Sequence, residues 1–211
     1  MTRPFFFLVA MAACRSSPPL PAEPSAAVAC PPRVAEIPDS HLFSVDDARF
    51  DGHAVVVRKS ERQLLLYENR RLATVEGRPA CWRVGLANGY RAGDKKREGD
   101  RRTPEGWFRT SDKPTSSFYG AIAVHYPAVD DAEEGLADGR IDEQTRDAIV
   151  RAVDAGEKPP QATALGGEIL VHGGGGSTDW TLGCVAMDDA HIDQLRAALG
   201  PGTRANILIL P

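Results

Sequence analysis

The sequence predicts a mainly β domain, a mixed β-sandwich or barrel-like body with a helical insertion, closed by one helix and a last strand. Three observations predict it. Between residues 54 and 86, short aliphatic runs alternate with charged turns, the spacing of closely paired strands. Helical periodicity is confined to two later stretches, 141–154 and 189–199. The final residues, Ile207-Leu-Ile-Leu210, form one more apolar run.

The first forty residues stand apart from this pattern. Met1-Thr-Arg3 is a short positive start, and Phe5 to Ala13 is an apolar run ending in small residues. That run is too short to span a bilayer and reads as a secretory signal over residues 1–13. Small residues directly before Cys14 fit a lipoprotein signal, with Cys14 becoming the acylated first residue of the mature chain. An ordinary signal, cut nearby with Cys14 discarded, fits the same residues. Seven prolines then fall between Pro18 and Pro38, so residues 14–40 read as a stiff tether. The chain is expected to be exported to the periplasm or cell envelope and held to a membrane through a lipid anchor.

Residues 41–211 remain, enough for one domain with a single core. The formal net charge of the whole chain is −4, which argues against non-specific nucleic-acid binding. A monomer is expected. Cys30 and Cys81 form an even pair in an exported chain, and either a disulfide or two free thiols fits them.

The β block opens with Ala54 to Arg58 and Gln63 to Tyr67, joined by the charged turn Lys59 to Arg62 as a hairpin. Leu72 to Glu76 and Trp82 to Leu86 continue the series. A basic run follows: from Arg91 to Arg102 there are six basic and three acidic residues, ordinarily a solvated loop. Thr103-Pro104 sets an extended-to-turn geometry and Gly106 permits a tight reversal into the strand Trp107 to Thr110. Ser116 to Tyr119 is an aromatic loop leading into a strand, with Ile122 and Val124 on one face and Ala121, Ala123 and His125 on the other. Tyr119 and His125 are candidates for lining a cleft; His125 equally fits the plain end of a strand.

Between about 128 and 166 the composition changes. Seven acids and one arginine lie between Asp130 and Glu143, an acidic loop, and Ile141 to Asp154 turns helical until Gly156. After Met187, Asp188 caps a helix from Asp189 to about Leu199, with Ile192, Leu195 and Leu199 inward and Gly200-Pro201 as its stop.

The chemistry lies between these helices. Glu168 to Val171 is a short strand delivering His172 to a run of four glycines, and twelve positions later Thr181-Leu182-Gly183 presents Cys184. A thiol with an imidazole in reach is the minimum for thiolate catalysis, because the thiolate is the nucleophile and the imidazole takes its proton. Glycines on either side let backbone approach a substrate closely and let amide groups point at a developing oxyanion. The same residues also admit a small buried cysteine and a loop histidine. No second Cys or His stands at ligand spacing, so no metal site is read here.

Taken in order, strand, His-Gly, glycine-rich loop and Thr-x-Gly-Cys-apolar resemble the signature of the L,D-transpeptidase catalytic domain (the YkuD-like family). A second stretch, Gly99-Asp100 through Thr103-Pro104-Glu105-Gly106-Trp107-Phe108, resembles the family's Gly-Asp-x-x-Thr-Pro-x-Gly-x-Phe motif. The likeness runs in order from about Ala54 to Leu210. Two positions depart from the commonest form: Leu182 replaces a second histidine, and Ala186 replaces an Arg or Asn. Gly183 to Asp188 instead fits a subgroup reading Gly-Cys-apolar-Ala-apolar-Asp.

The resemblance implies a peptidoglycan-modifying enzyme. Cys184 would attack the carbonyl between the third and fourth residues of a tetrapeptide stem, with His172 as base and then acid and the amides near Gly183 and Cys184 holding the oxyanion. Trp180, Gly173 and Arg102 join Tyr119 and His125 as candidates for lining the cleft. No metal or cofactor is implied, and the partners are stem peptides. A hydrolase on the same fold and a non-catalytic wall-binding lipoprotein are the competing expectations.

Overall fold

The computed structural model describes residues 29–89 and 92–211. The signal segment, Cys14 and most of the tether lie outside the described residues.

Eleven strands and three helices are present among these residues: β1 His53–Arg58, β2 Gln63–Glu68, β3 Arg71–Leu72, β4 Thr74–Val75, β5 Arg78–Pro79, β6 Cys81–Arg83, β7 Gly106–Asp112, β8 Ile122–Val124, α1 Val129–Ala137, α2 Glu143–Asp154, β9 Leu170–His172, β10 Val185–Ala186, α3 Asp189–Leu199 and β11 Asn206–Leu210. The main sheet runs β10-β9-β8-β7-β11-β1-β2-β3, with β6 also on β2, while β4 and β5 form a separate ribbon. The expected hairpin is β1–β2, with Val57 opposite Leu64 and Val55 opposite Leu66. The closing strand β11 enters the middle of the sheet, parallel to β1 and antiparallel to β7.

Apolar residues in the central strands run consecutively because both sheet faces are covered. One face, carrying Val55, Val57, Leu64, Leu66, Phe108, Ile122, Val124, Val171 and Val185, packs against Ile149 of α2 and Ile192 and Leu195 of α3. The opposite face carries Ala54, Val56, Leu65, Tyr67 and Leu208, and is covered by Val34, Ile37 and Phe50. The covering segment is pinned at Cys30, which forms a disulfide with Cys81. The Tyr67 hydroxyl donates to the Pro31 carbonyl at 2.9 Å, and Leu72 N–H to that of Pro32 at 2.8 Å. From Cys30 onward the chain is thus part of the packed body, ahead of the boundary at residue 40 that composition suggests. Three buried residues, Pro31, Val34 and Ile37, dock a segment that is otherwise polar and proline-rich.

The helical insertion expected over about 128–166 is present, and its acidic stretch is itself a helix, α1, over residues 129–137 rather than a solvated loop. The Asp131 carboxylate accepts the Ala128 N–H at 2.8 Å, a helix-start contact that ties off one of the unpaired backbone donors. Ala132 is fully buried and Leu165 packs against Gly135. Two buried small residues are too weak a stripe to show through a run of acids.

Candidate active site

Cys184 leads directly into β10, which runs parallel to β9 with Val185 opposite Val171 and Ala186 opposite His172. Opposite residues of a pair share a face, as do residues two apart along a strand. Cys184, Ala186, Leu170 and His172 therefore stand on one face, and Cys184 packs with Leu170, Ala121 and Ala123. Following the registers through β8, β7 and β11, this is the face that the N-terminal segment covers over β1 and β2. The residues of the segment pack over β1 and β2 rather than β8–β10, and at the latter end Ala123, Leu170, His172 and Ala186 are buried while the thiol is half-buried.

His172 is 1% exposed. Its Nδ1 lies 2.6 Å from the Gly173 carbonyl oxygen. A carbonyl only accepts, so Nδ1 carries the proton and Nε2 is the basic nitrogen. The Phe118 ring stacks on the imidazole at 4.2 Å between centroids and the Trp180 edge meets it at 5.5 Å. Burial lowers the His172 pKa, with the Gly173 bond opposing.

The Cys184 thiol donates to the Glu168 carbonyl at 3.7 Å. Burial pushes its pKa up to about 11, a Leu170 N–H opposes the rise and the nearby Glu168 carboxylate adds to it. The resting pair is thus a neutral thiol and a neutral imidazole. The thiol proton is held by a carbonyl rather than by His172.

Carboxylates at the start of α3 hold the glycine run that links the two residues. Asp189 accepts the Gly174 N–H at 2.7 Å and Asp188 the Gly176 N–H at 2.8 Å. Asp188, read from sequence as a helix cap and as the last position of the subgroup motif, makes no cap bond with its side chain, which serves this loop instead. Farther along, Asp179 accepts the Leu86 N–H at 2.9 Å and pairs with Arg62 at 2.8 Å. Thr181 Oγ1 donates to the Cys184 carbonyl at 2.8 Å and accepts the Gly183 N–H at 3.2 Å. The Gly183 amide, a candidate oxyanion donor, is therefore engaged inside its own turn. Gly183 has φ 135° and packs against the Arg102 carbonyl, which both the backbone conformation and the close approach reserve for glycine.

The remaining candidates separate. Gly173 donates to the Tyr119 carbonyl at 2.8 Å, so the aromatic loop does border the imidazole, but the ring that stacks there is Phe118. The exposed Tyr119 ring lies against Gly173, its hydroxyl donating to Asp193 at 2.8 Å. Trp180 packs back on its own loop, donating to the Gly175 carbonyl at 2.9 Å. Arg102 directs its guanidinium to the Asp94 carbonyl at 3.3 Å and lines an open cavity of about 630 Å³ with Lys96, Arg97 and Arg101. His125 is not brought to the thiol: its Nε2 meets Ser111 Oγ at 2.9 Å, beside a cavity of about 200 Å³ lined by Trp107, Arg109 and Glu157. The reason is register, since His125 lies past the end of β8 at Val124 while Ala123 faces Leu170. Among the described residues no group of three or more His, Cys, Asp or Glu converges as a metal site requires.

Phe118, Asp188, Asp189 and Thr181 are the neighbours that sequence alone did not assign to the site. Phe118 carried a signal, standing beside Tyr119 in an aromatic loop; Thr181 and Asp188 stand within the signature motifs themselves, and Asp189 carried none beyond its place in a helix.

The family model for the L,D-transpeptidase catalytic domain (YkuD) matches residues 52–207. No curated protein sequence matches the chain. Among solved structures, the chain is similar in fold to the helical cell shape determining protein Pgp2 (K307A mutant) from Campylobacter jejuni, at 20% identity and TM-score 0.50 over 83% of this chain and 52% of that one. An L,D-transpeptidase from Xylanimonas cellulosilytica (residues 123–326) aligns at 17% identity and TM-score 0.39, over 75% of this chain and 60% of that one. Bd1075 from Bdellovibrio bacteriovorus aligns at 21% identity and TM-score 0.45, over 78% and 50%. The chain thus spans about half the length of the Pgp2 and Bd1075 chains it matches.

Proposed function

The chain belongs to the YkuD family of L,D-transpeptidase catalytic domains, cysteine-dependent enzymes acting on peptidoglycan, and on that premise we propose that it transfers the acyl group of a tetrapeptide stem through a thioester on Cys184. The observation that carries the proposal is the shared face of His172 and Cys184 on adjacent parallel strands, with the imidazole tautomer set by Gly173. In the proposed reaction the Cys184 side chain rotates off the Glu168 carbonyl and gives its proton to His172 Nε2. The sulfur adds to the carbonyl between the third and fourth stem residues, and the amides of Cys184 and Gly183 receive the oxyanion, Gly183 exchanging its Thr181 acceptor for it. His172 returns the proton to the departing amine of the terminal D-residue. An amine of a neighbouring stem then attacks the thioester, restoring the thiol and forming a cross-link.

A second outcome has its own support. Leu182 is 69% exposed and apolar, and Ala186 is fully buried in β10, so neither flank of the thiol offers a polar side chain to hold an amine acceptor. Water needs no such site, and its attack would release a trimmed stem. Incubation of the purified protein with tetrapeptide muropeptides, followed by mass analysis, separates the outcomes: dimers, trimmed stems, or unchanged substrate, the last of which would sink both. The N-terminal signal and the Cys14 anchor are proposed alongside, as the means of export and attachment. Absence of palmitate labelling on Cys14 in cells would remove the anchor.

A further inference from the structure

We propose that Lys113 and Lys158 form a receptor for a substrate carboxylate beside Cys184, and that Glu168 fills it in the resting chain as an internal stand-in. The inference rests on Cys184 being the nucleophile. Three separate segments converge there: Lys113 follows β7, Lys158 follows α2, and Glu168 precedes β9. Lys113 Nζ lies 2.7 Å from one Glu168 carboxylate oxygen and Lys158 Nζ 3.2 Å from the other. The carbonyl of this same glutamate holds the Cys184 thiol at 3.7 Å, so one residue both carries the ion cluster and meets the sulfur.

Two ammonium groups around one carboxylate leave an excess positive charge, which favours an anion over a cation as the incoming group. The lysines are 23% and 27% exposed and Glu168 is 54% exposed. The acid is therefore the outermost member and the one free to swing into solvent, while the lysine heads stay against the protein. Ion pairs this exposed are weak enough to exchange. Glu168 also sits at φ 51°, a left-handed conformation uncommon for a non-glycine residue. In that conformation its carbonyl meets the sulfur while its carboxylate lies between the two lysines. A peptide stem ending one residue beyond the scissile bond likewise presents a carboxylate one residue from the carbonyl that the sulfur attacks. The specificity that follows is for stems with a free terminal carboxylate over amidated ones.

Binding is read by titration calorimetry on the full chain carrying Cys184→Ala, which prevents turnover. The probes are a synthetic tetrapeptide stem with a free C-terminus and the same stem as its carboxamide. The free acid is expected to bind about tenfold tighter. Adding Lys113→Ala should abolish that preference, Lys113→Arg should restore it, and Glu168→Gln should tighten the acid several-fold while leaving the amide unchanged. Equal affinity for acid and amide overturns the receptor and leaves the proposed reaction standing; so does a Lys113→Ala variant that keeps the preference. Binding of neither probe overturns both.

Discussion

The Nδ1 of His172 lies 2.6 Å from the carbonyl oxygen of its own neighbour, Gly173. The contact is local in sequence, yet it decides which ring nitrogen is basic. Since the carbonyl must accept, Nε2 has the free lone pair, and burial keeps it unprotonated at neutral pH. His172→Gln should therefore lower kcat by about 10²-fold or more, the usual share of general acid–base catalysis. The acid limb of the wild-type kcat/KM profile should fall below the ordinary histidine range of about 6.5, because the folded-state pKa is depressed. An acid limb above that value would contradict the assigned tautomer and burial.

The thiol should behave as a thiol. With its pKa pushed up to about 11, the thiolate fraction at neutral pH is small and grows about tenfold per pH unit until that value is approached. Alkylation of Cys184 by iodoacetamide in the absence of substrate is expected to rise in that manner from pH 7 to 9. A rate already flat across that range would indicate a preformed thiolate–imidazolium pair instead.

Gly173 has no room for a side chain. A methyl there would collide with the Asp189 carboxylate and lie 2.9 Å from a ring carbon of Tyr119. Gly173→Ala should cost about 1–3 kcal/mol, the range for overpacking, and lower activity further by moving the carbonyl that orients His172. Thermal unfolding and steady-state rates measure the two effects separately; a variant with unchanged stability would show that the loop yields freely.

The Cys30–Cys81 bridge closes a loop with a sequence separation of 51. Chain-entropy reasoning assigns such a loop about 4 kcal/mol of stabilisation. Replacing both cysteines by serine should lower the denaturant midpoint accordingly and loosen residues 30–37, which hydrogen exchange would report. Unaltered protection in that segment would mean that Val34 and Ile37 dock it unaided.

His125 should make the fold acid-sensitive. Burial lowers its pKa to about 4, below the unfolded value of about 6.5. The unfolded chain then binds the extra proton first, so stability is lost as pH falls from about 6.5 towards 4, by up to about 3 kcal/mol. A His125→Gln variant should show a shallower loss over this window in pH-dependent urea unfolding. Parallel slopes for the two proteins would exclude His125 as the cause.

The sequence by itself determined the aliphatic runs between charged turns that become β1 and β2, the periodicity of α2 and α3, and the placing of His172 and Cys184 at the two ends of a glycine-rich span. Each of these is written in neighbours along the chain, where side-chain period and local chemistry are legible. Tertiary structure decided the rest: that residues 30–37 cover half of one sheet face and leave the thiol at the other end, that Asp188 and Asp189 hold the glycine loop, that Phe118 stacks on the imidazole, and that the sulfur rests on Glu168. It also made α1 a helix, through the burial of Ala132 and Gly135, against an acidic composition. These contacts join residues far apart in sequence, and no periodicity records them; they exist only once the strand registers have set which faces meet.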